Sequence, residues 1–236
     1  MKVLTWNCNG GFRNKVQALS SFDCDLYIIQ ECEDPSRVSR STIEYKVFTQ
    51  NHIWEGDNKN KGLGVFAKKS SVITKKSLNL AFGEHRLKWF ISFSFENRID
   101  FVATWAHRGD TGEFRYIGQF YKMLCNNLDD LKDKVFIGDF NSNKIWDYKR
   151  VDGDHSTCLK ILESNGIYSL YHRINNEEQG REQQSTFLLQ KKITKPYHID
   201  YIFAPLEFIE NTVHFEIMQF DSWIKYSDHV PIIWEI

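Results

Sequence analysis

The segment KVFIGDFNS, Lys134–Ser142, carries the first decision about the fold. Val135-Phe136-Ile137 is a continuous apolar run, the pattern of a strand buried on both faces. Gly138 ends the run, and Asp139, Asn141 and Ser142 follow at once. DLYIIQE, Asp25–Glu31, repeats the design, with Leu26–Ile29 apolar and Gln30-Glu31 at its end. Strands of this kind need covering layers on both sides, so more than one sheet face must be packed. There is also an internal echo. Lys2-Val3-Leu4 leads to Asn7 and Asn9, as Lys134-Val135-Phe136 leads to Asp139 and Asn141. Common strand beginnings could produce this by chance.

Further strands are expected at Lys2–Trp6, Tyr45–Thr49, Gly62–Ala67, Leu87–Phe95, Arg98–Trp105, Tyr197–Ala204 and Val230–Glu235. Glu96-Asn97 between two of them predicts an antiparallel hairpin. Helical spacing is clearest over Glu113–Leu131, where Phe114, Ile117, Phe120, Tyr121, Leu124 and Leu128 form one stripe. Asn14–Phe22 and Ser156–Ser164 are weaker helical segments, the second capped by Ser156 or Thr157 and stopped at Asn165-Gly166. Strands and helices interleave, which gives an α/β or α+β class with helices covering sheets. Gln50–Lys61 and Arg173–Gln184 read as polar surface loops. With four prolines and no Pro/Gly/Ser linker, residues 1–236 read as a single domain.

Composition narrows the function classes. The 236 residues carry 30 Lys plus Arg and 31 Asp plus Glu, a net charge of −1, which excludes bulk capture of polyanions by positive charge. An aromatic content of 15% argues for a folded chain. The five cysteines are odd in number and form no CxxC pair, so neither disulfides nor a zinc ribbon are expected, and a reducing cytoplasm is the expected location. No membrane span, signal peptide or lipidation motif is expected.

The strand ends concentrate chemistry. Val3–Trp6 leads into Asn7-Cys8-Asn9-Gly10, Phe101–Trp105 into Ala106-His107-Arg108, and Ser227-Asp228-His229 precedes the last strand. Asp200 lies inside His198–Phe203. Singly, each of these could be a turn residue, a helix cap or a structural histidine. As a set, Glu31, Asp139, Asp200 and Asp228 with the amides of Asn7, Asn9 and Asn141 are rich in oxygen donors, which suits Mg²⁺ or Mn²⁺ better than zinc. Such a cation stabilises charge developing on a phosphate, and His107 and His229 can exchange protons near neutral pH.

The ordered segments TWNCNG (Thr5–Gly10), DLYIIQE (Asp25–Glu31), GDFNS (Gly138–Ser142), HIDYIF (His198–Phe203) and SDHVP (Ser227–Pro231) resemble those of the endonuclease/exonuclease/phosphatase superfamily. Its members include exonuclease III-like AP endonucleases, deoxyribonuclease I, neutral sphingomyelinases and inositol polyphosphate 5-phosphatases. The resemblance implies a four-layer sandwich: two mixed β-sheets face to face, helices outside, and the site at one edge. It implies a metal set of Glu31, Asn7 and Asp228. It gives His229 a role on the scissile phosphate or on water, with Asp200 orienting it. Asp139 and Asn141 position the attacking water and a phosphate oxygen, and Asn9 contacts substrate. TWAHRG departs from the tyrosine-containing segment of exonuclease III-like members. It is closer to the deoxyribonuclease I and sphingomyelinase pattern, in which a histidine, here His107, is a general acid or phosphate ligand. This departure argues against AP-site repair. Arg108 either holds a phosphate or is a surface cation.

The implied reaction is in-line attack of water on a phosphate ester, with Asp139 or the Asp200–His229 pair acting on the water. The expected substrate is DNA or RNA, with Trp54 or Trp146 stacking on a base unless they are core residues. No membrane and no obligate protein partner is expected. A phosphomonoesterase or phospholipase-like phosphodiesterase acting on a small or lipid phosphate is the alternative. A catalytically inactive binding module is the third.

Overall fold

The computed structural model describes residues 1–108, 114–147 and 153–236. In chain order the strands are β1 (Lys2–Asn7), β2 (Leu26–Cys32), β3 (Asn51–Asn58), β4 (Lys61–Ala67), β5 (Ile73–Lys75), β6 (Ala81–Phe82), β7 (His85–Arg86), β8 (Phe90–Phe95), β9 (Ile99–Trp105), β10 (Lys134–Asp139), β11 (Ile167–Ser169), β12 (Phe187–Leu188), β13 (Pro196–Tyr197), β14 (Asp200–Pro205), β15 (His214–Ile217) and β16 (Ile232–Glu235). The α-helices are α1 (Ile43–Phe48), α2 (Ile117–Asn126), α3 (His155–Ser164), α4 (Leu170–Asn175), α5 (Leu206–Glu210) and α6 (Phe220–Trp223).

Two six-stranded mixed sheets have the orders β15-β16-β1-β2-β4-β3 and β11-β14-β10-β9-β8-β5. Each contains a parallel pair, β1 with β2 and β9 with β10. On both sides of each parallel pair the neighbours are antiparallel. β1 and β10 therefore hold equivalent places, and the sequence echo falls on these two strands.

Alternation along the central strands divides their side chains between layers. Val135 and Ile137 of β10 join the cluster that also contains Leu4, Ile28 and Val65 of the first sheet. Phe136 instead joins Phe120 and Leu124 of α2 and Leu162 of α3. β14 behaves likewise, with Ile202 and Ala204 in the first cluster and Tyr201 and Phe203 in the second. On the outer face of the first sheet, Phe12 and Phe48 pack on Phe66, with ring centroids 5.6 Å apart for Phe12 and Phe66, and Tyr45 packs on Phe12. The result is the four-layer α/β sandwich, and burial of each large side chain contributes about 1.5–3 kcal/mol.

The hairpin at Glu96-Asn97 forms as expected. Both residues have positive φ, 52° and 50°, and Arg98 N donates to Phe95 O at 3.1 Å. Several expectations are corrected. Tyr45–Thr49 is not a strand: Thr42 caps α1 by accepting from Tyr45 N at 3.2 Å, and Tyr45 and Phe48, three apart, both reach Phe12. Gln50–Lys61 is not a loop but mostly β3, whose polar residues reflect its place at a sheet edge. Asn14–Phe22 forms only short 3₁₀ turns, Phe12–Asn14 and Val16–Leu19. The strand expected at Leu87–Phe95 starts only at Phe90, after Trp89 with φ +71°. Tyr197–Ala204 splits into β13 and β14.

The stripe helix is shorter than expected. Tyr116, with φ +51°, delays its start to Ile117, and Leu128–Asp130 is a separate 3₁₀ turn; Glu113 lies outside the described residues. The cap of α3 is Asp154, accepting from Thr157 N at 2.8 Å, rather than Ser156 or Thr157. All five cysteines are free thiols. Among the described residues, no helix is long and apolar enough to cross a membrane.

Candidate active site

The topology brings several chain segments to one edge. Parallel pairing sets Asn7 opposite Gln30, one residue before Glu31. In the second sheet, Asp139 lies opposite Trp105 on one side and Asp200 on the other. β16 runs antiparallel to β1, so Ser227–Pro231 arrives at the same edge before the strand begins. The two equivalent central strands meet directly here. Asn7 Nδ2 donates to Asp139 Oδ2 at 2.9 Å and to Glu31 Oε1 at 3.4 Å.

Local backbone conformation aims these groups. Asn9, Glu31 and Asn141 have φ of +52°, +61° and +46°. Such left-handed geometry disfavours residues with a Cβ and concentrates at functional positions. Glu31 sits where the β2–β4 register shifts between Gln30 and Cys32. A bulge of this kind re-aims a side chain out of the sheet. Glu31 meets the ammonium of Lys61 at the start of β4. Asn9 Nδ2 donates to Asp228 Oδ1 at 2.9 Å, and Asn9 N donates to Asn7 Oδ1 at 3.0 Å.

Asp139 is fully buried and heavily hydrogen-bonded. Asn141 donates to it twice, from its backbone N to Oδ1 and from Nδ2 to Oδ2, both at 2.8 Å. Burial and the neighbouring Asp200 charge push its pKa up to about 7. His229 Nδ1 donates to Asp200 Oδ2 at 2.9 Å. Burial alone would lower the His229 pKa, but Asp200, assisted by Asp139 and Asp228, outweighs it and raises the value to about 9. The imidazole is clamped through its own backbone as well. Ser227 Oγ accepts from His229 N at 3.1 Å and donates to Asn7 O at 2.7 Å, while Trp6 Nε1 donates to His229 O at 3.1 Å.

Eight of the expected residues thus form one cluster: Asn7, Asn9, Glu31, Asp139, Asn141, Asp200, Asp228 and His229. His107 stands beside it, half-buried, its ring 4.6 Å from that of Trp105 and within the electrostatic reach of Glu31 and Lys61. Its Nδ1–H donates to Arg108 O at 3.2 Å, and Nε2 has no hydrogen-bond partner among the described residues. Burial lowers its pKa. Arg108 is exposed and pairs in a β-bridge with Arg115. Trp146 is 40% exposed and lies on Tyr197, with ring centroids 5.0 Å apart, so it is not a core residue and does not join the cluster. Trp54 is partly buried, and its Nε1 donates to Cys32 O at 3.3 Å.

Three contributors were not singled out in the sequence. Lys61 comes from a segment read as loop. Thr186 donates through Oγ1 to Asp200 Oδ2 at 2.6 Å and accepts from Ile199 N and Asp200 N. Ser227 was visible only as part of SDHVP. For Lys61 and Thr186 no sequence signal points to the site, because their places are set by long-range pairing.

The donor set fits a hard divalent cation. Glu31 and Asp228 are the carboxylates of the cluster that are only partly buried, and Glu31, its side chain 16% exposed, already holds a positive charge, that of Lys61. The ligand atoms of Asp139, Asp200 and His229 also lie within 4.8 Å of one another, a buried group that could hold a metal. Two of those three are committed to each other, however, by the His229–Asp200 hydrogen bond. Glu31 with Asp228 is therefore the more accessible anchor. Asn7 as placed turns its Nδ2 to two carboxylates and its Oδ1 to Asn9 N, so it acts first as a bridge between Glu31 and Asp139.

No protein-family model and no curated protein matches this sequence. Solved structures do. A 3′ phosphatase from Neisseria bound to a product DNA hairpin superposes with a TM-score of 0.74 at 17% identity, covering 100% of this chain and 99% of that one. An AP endonuclease from Archaeoglobus fulgidus gives 0.71 at 17% identity, with 100% and 99% covered. The endonuclease domain of a telomere-specific non-LTR retrotransposon gives 0.62 at 14% identity, with 100% and 97% covered. At these identities the likeness is one of fold. It is the endonuclease/exonuclease/phosphatase fold that the five motifs imply.

Proposed function

We propose that the protein is a divalent-metal-dependent phosphodiesterase that hydrolyses DNA or RNA. The observation that carries this reading is the convergence of the amide, carboxylate and imidazole groups of five distant segments into one hydrogen-bonded cluster at a sheet edge. Ordinary surface polarity does not bring Asp139 and Asp200 side by side in a buried register. The likeness to proteins named as a 3′ phosphatase bound to a product DNA hairpin and an AP endonuclease supports nucleic acid as the substrate.

Glu31 and Asp228, with Asn7 beside them, would hold Mg²⁺ or Mn²⁺, which when bound supplies positive charge to the non-bridging phosphate oxygens. The chain's own groups divide the remaining work. Asp139, held between Asn7 and Asn141, is placed to orient and deprotonate water, and a pKa near 7 suits a base at neutral pH. Asp200 raises the His229 pKa and so favours its charged form, which suits a donor to a phosphate oxygen more than the base. Asp200 holds it there. Asn141 and Asn9 contact phosphate oxygens. His107, whose protonation burial opposes, is a phosphate-side neighbour more than a strong acid. Arg108 and Trp146 lie outside the hydrogen-bonded cluster and are candidates only for contacts with a longer substrate.

Labelled single- and double-stranded DNA and RNA, incubated with Mg²⁺ or with EDTA, test the reading. Cleavage is expected with Mg²⁺ alone. Release of inorganic phosphate from inositol phosphates without nucleic-acid cleavage would instead support the small-phosphoester alternative. Binding without turnover would support the inactive module.

A further inference from the structure

Lys61 stands against Glu31, the carboxylate proposed above to hold a divalent cation. Its ammonium pairs with Glu31 Oε2, the oxygen that Asn7 leaves free. The position is built rather than incidental. Asn58 and Lys61 pair across the β3–β4 turn, Asn60 N donates to Asn58 Oδ1 at 3.0 Å, and Asp34 N donates to Lys59 O at 2.9 Å. The next residue, Gly62, pairs with Cys32, immediately after Glu31. A Cβ on Gly62 would lie 2.4 Å from the Trp54 ring, so this glycine lets the strand pass beneath the indole. On its other side the lysine stem runs past Gly10, where an added Cβ would lie 3.8 Å from Lys61 Cε. Lys61 thus bridges the Asn7–Gly10 segment and the Glu31 bulge.

Resting on the proposed metal role of Glu31, we propose that Lys61 is an internal counter-ion that competes with the divalent cation for Glu31 and, once displaced, turns to a phosphate of the substrate. Two like charges cannot share one carboxylate oxygen without repulsion. A metal arriving at Glu31 therefore pushes the ammonium outward, on a flexible stem whose side chain is 48% exposed. A substrate phosphate there would receive the displaced charge. Metal and nucleic acid would then bind cooperatively, each better in the presence of the other. In the metal-free protein, Lys61 offsets the Glu31 charge that would otherwise repel a polyanion.

The test uses the full chain and its Lys61→Gln, Lys61→Arg and Glu31→Gln variants. Mn²⁺ binding to the substrate-free protein is read by the paramagnetic resonance of free Mn²⁺, and binding of a fluorescent oligonucleotide is read in EDTA. Lys61→Gln should tighten Mn²⁺ binding by about tenfold and weaken oligonucleotide binding in EDTA several-fold. Lys61→Arg should stay close to wild type in both. Unchanged or weaker Mn²⁺ binding by Lys61→Gln, in a protein whose wild type binds Mn²⁺ and whose Glu31→Gln variant does not, overturns the role of Lys61 and leaves the metal reading standing. Failure of the wild type itself to bind Mn²⁺ overturns both.

Discussion

A buried hydroxyl holds the Asp200–His229 pair in place. Thr186 is fully buried, donates to Asp200 Oδ2 and accepts two backbone N–H groups from the start of β14. It therefore fixes both the carboxylate and the strand that carries it. Thr186→Val keeps the shape but leaves these groups short of partners, at a cost of about 1–3 kcal/mol. It should also lower kcat about 10–100-fold through misorientation of His229. Thr186→Ser should recover most of both. Urea denaturation and steady-state kinetics on the two variants check this, and a Val variant with wild-type kcat would remove Thr186 from the site. Asp139 and Glu31 were legible in the sequence because polar groups directly follow apolar strands, and Asp228 because it stands just before one. Thr186 and Lys61 were not, because nothing local marks a residue whose role comes from pairing across the chain.

The elements around the site carry two further consequences. α2 is held to the second sheet by a chain of rings: Phe120 lies edge-on to Phe136 at 5.8 Å and to Phe140 at 4.9 Å. Phe120→Ala should cost about 3–5 kcal/mol, read from the urea midpoint at constant slope. A loss under 1 kcal/mol would mean that the helix is not anchored there. Behind the site, His155 on α3 and His198 beside β14 are buried among rings and loop carbonyls. His155 Nε2 donates to Gln179 Oε1 at 3.3 Å, and His198 Nδ1 donates to Gln184 O at 2.8 Å while its Nε2 has no partner among the described residues. Burial lowers both pKa values to about 4. The unfolded imidazoles take up protons near pH 6.5 and the folded ones do not, so stability is full above pH 6.5 and falls as pH drops towards 4. The eventual loss is roughly 3 kcal/mol for each histidine. Asp139 works in the opposite sense, since its raised pKa favours the folded state as pH falls below 7. An Asp139→Asn, His107→Gln background removes the opposing Asp139 and the parallel His107 contributions: its urea midpoint should decline between pH 6.5 and 5, with both rings still neutral by NMR. A flat midpoint would show that neither histidine is held neutral. The same elements show where sequence patterning ran out. Tyr45 and Phe48 are good strand formers, yet the Thr42 cap and the Phe12 contact make that segment a helix. β3 looked like loop because an edge strand shows little apolar alternation.

Across the whole molecule, the two sheets repeat one pattern of strand pairing, a parallel pair flanked by antiparallel neighbours, and the site lies where their central strands meet. Asn7 ends β1 and Asp139 ends β10, and the hydrogen bond between them joins the sheets. This explains why the fold was readable from a few strand-end motifs: three of them close β1, β2 and β10, two lead into β14 and β16, and these inner strands define the sandwich. It also explains the near-neutral charge of −1. Several acids are concentrated at one edge, with a cation expected among them, and the rest of the surface balances that charge. The decisive measurement is turnover of an end-labelled oligonucleotide by the wild type and by Glu31→Gln, each with Mg²⁺ and with EDTA, after circular dichroism has shown both to be folded. Cleavage by the wild type with Mg²⁺, abolished by EDTA and reduced at least about a thousandfold by Glu31→Gln, is the expected result. Equal cleavage by a folded Glu31→Gln variant, or cleavage that persists in EDTA, would overturn the metal-dependent reading of this site.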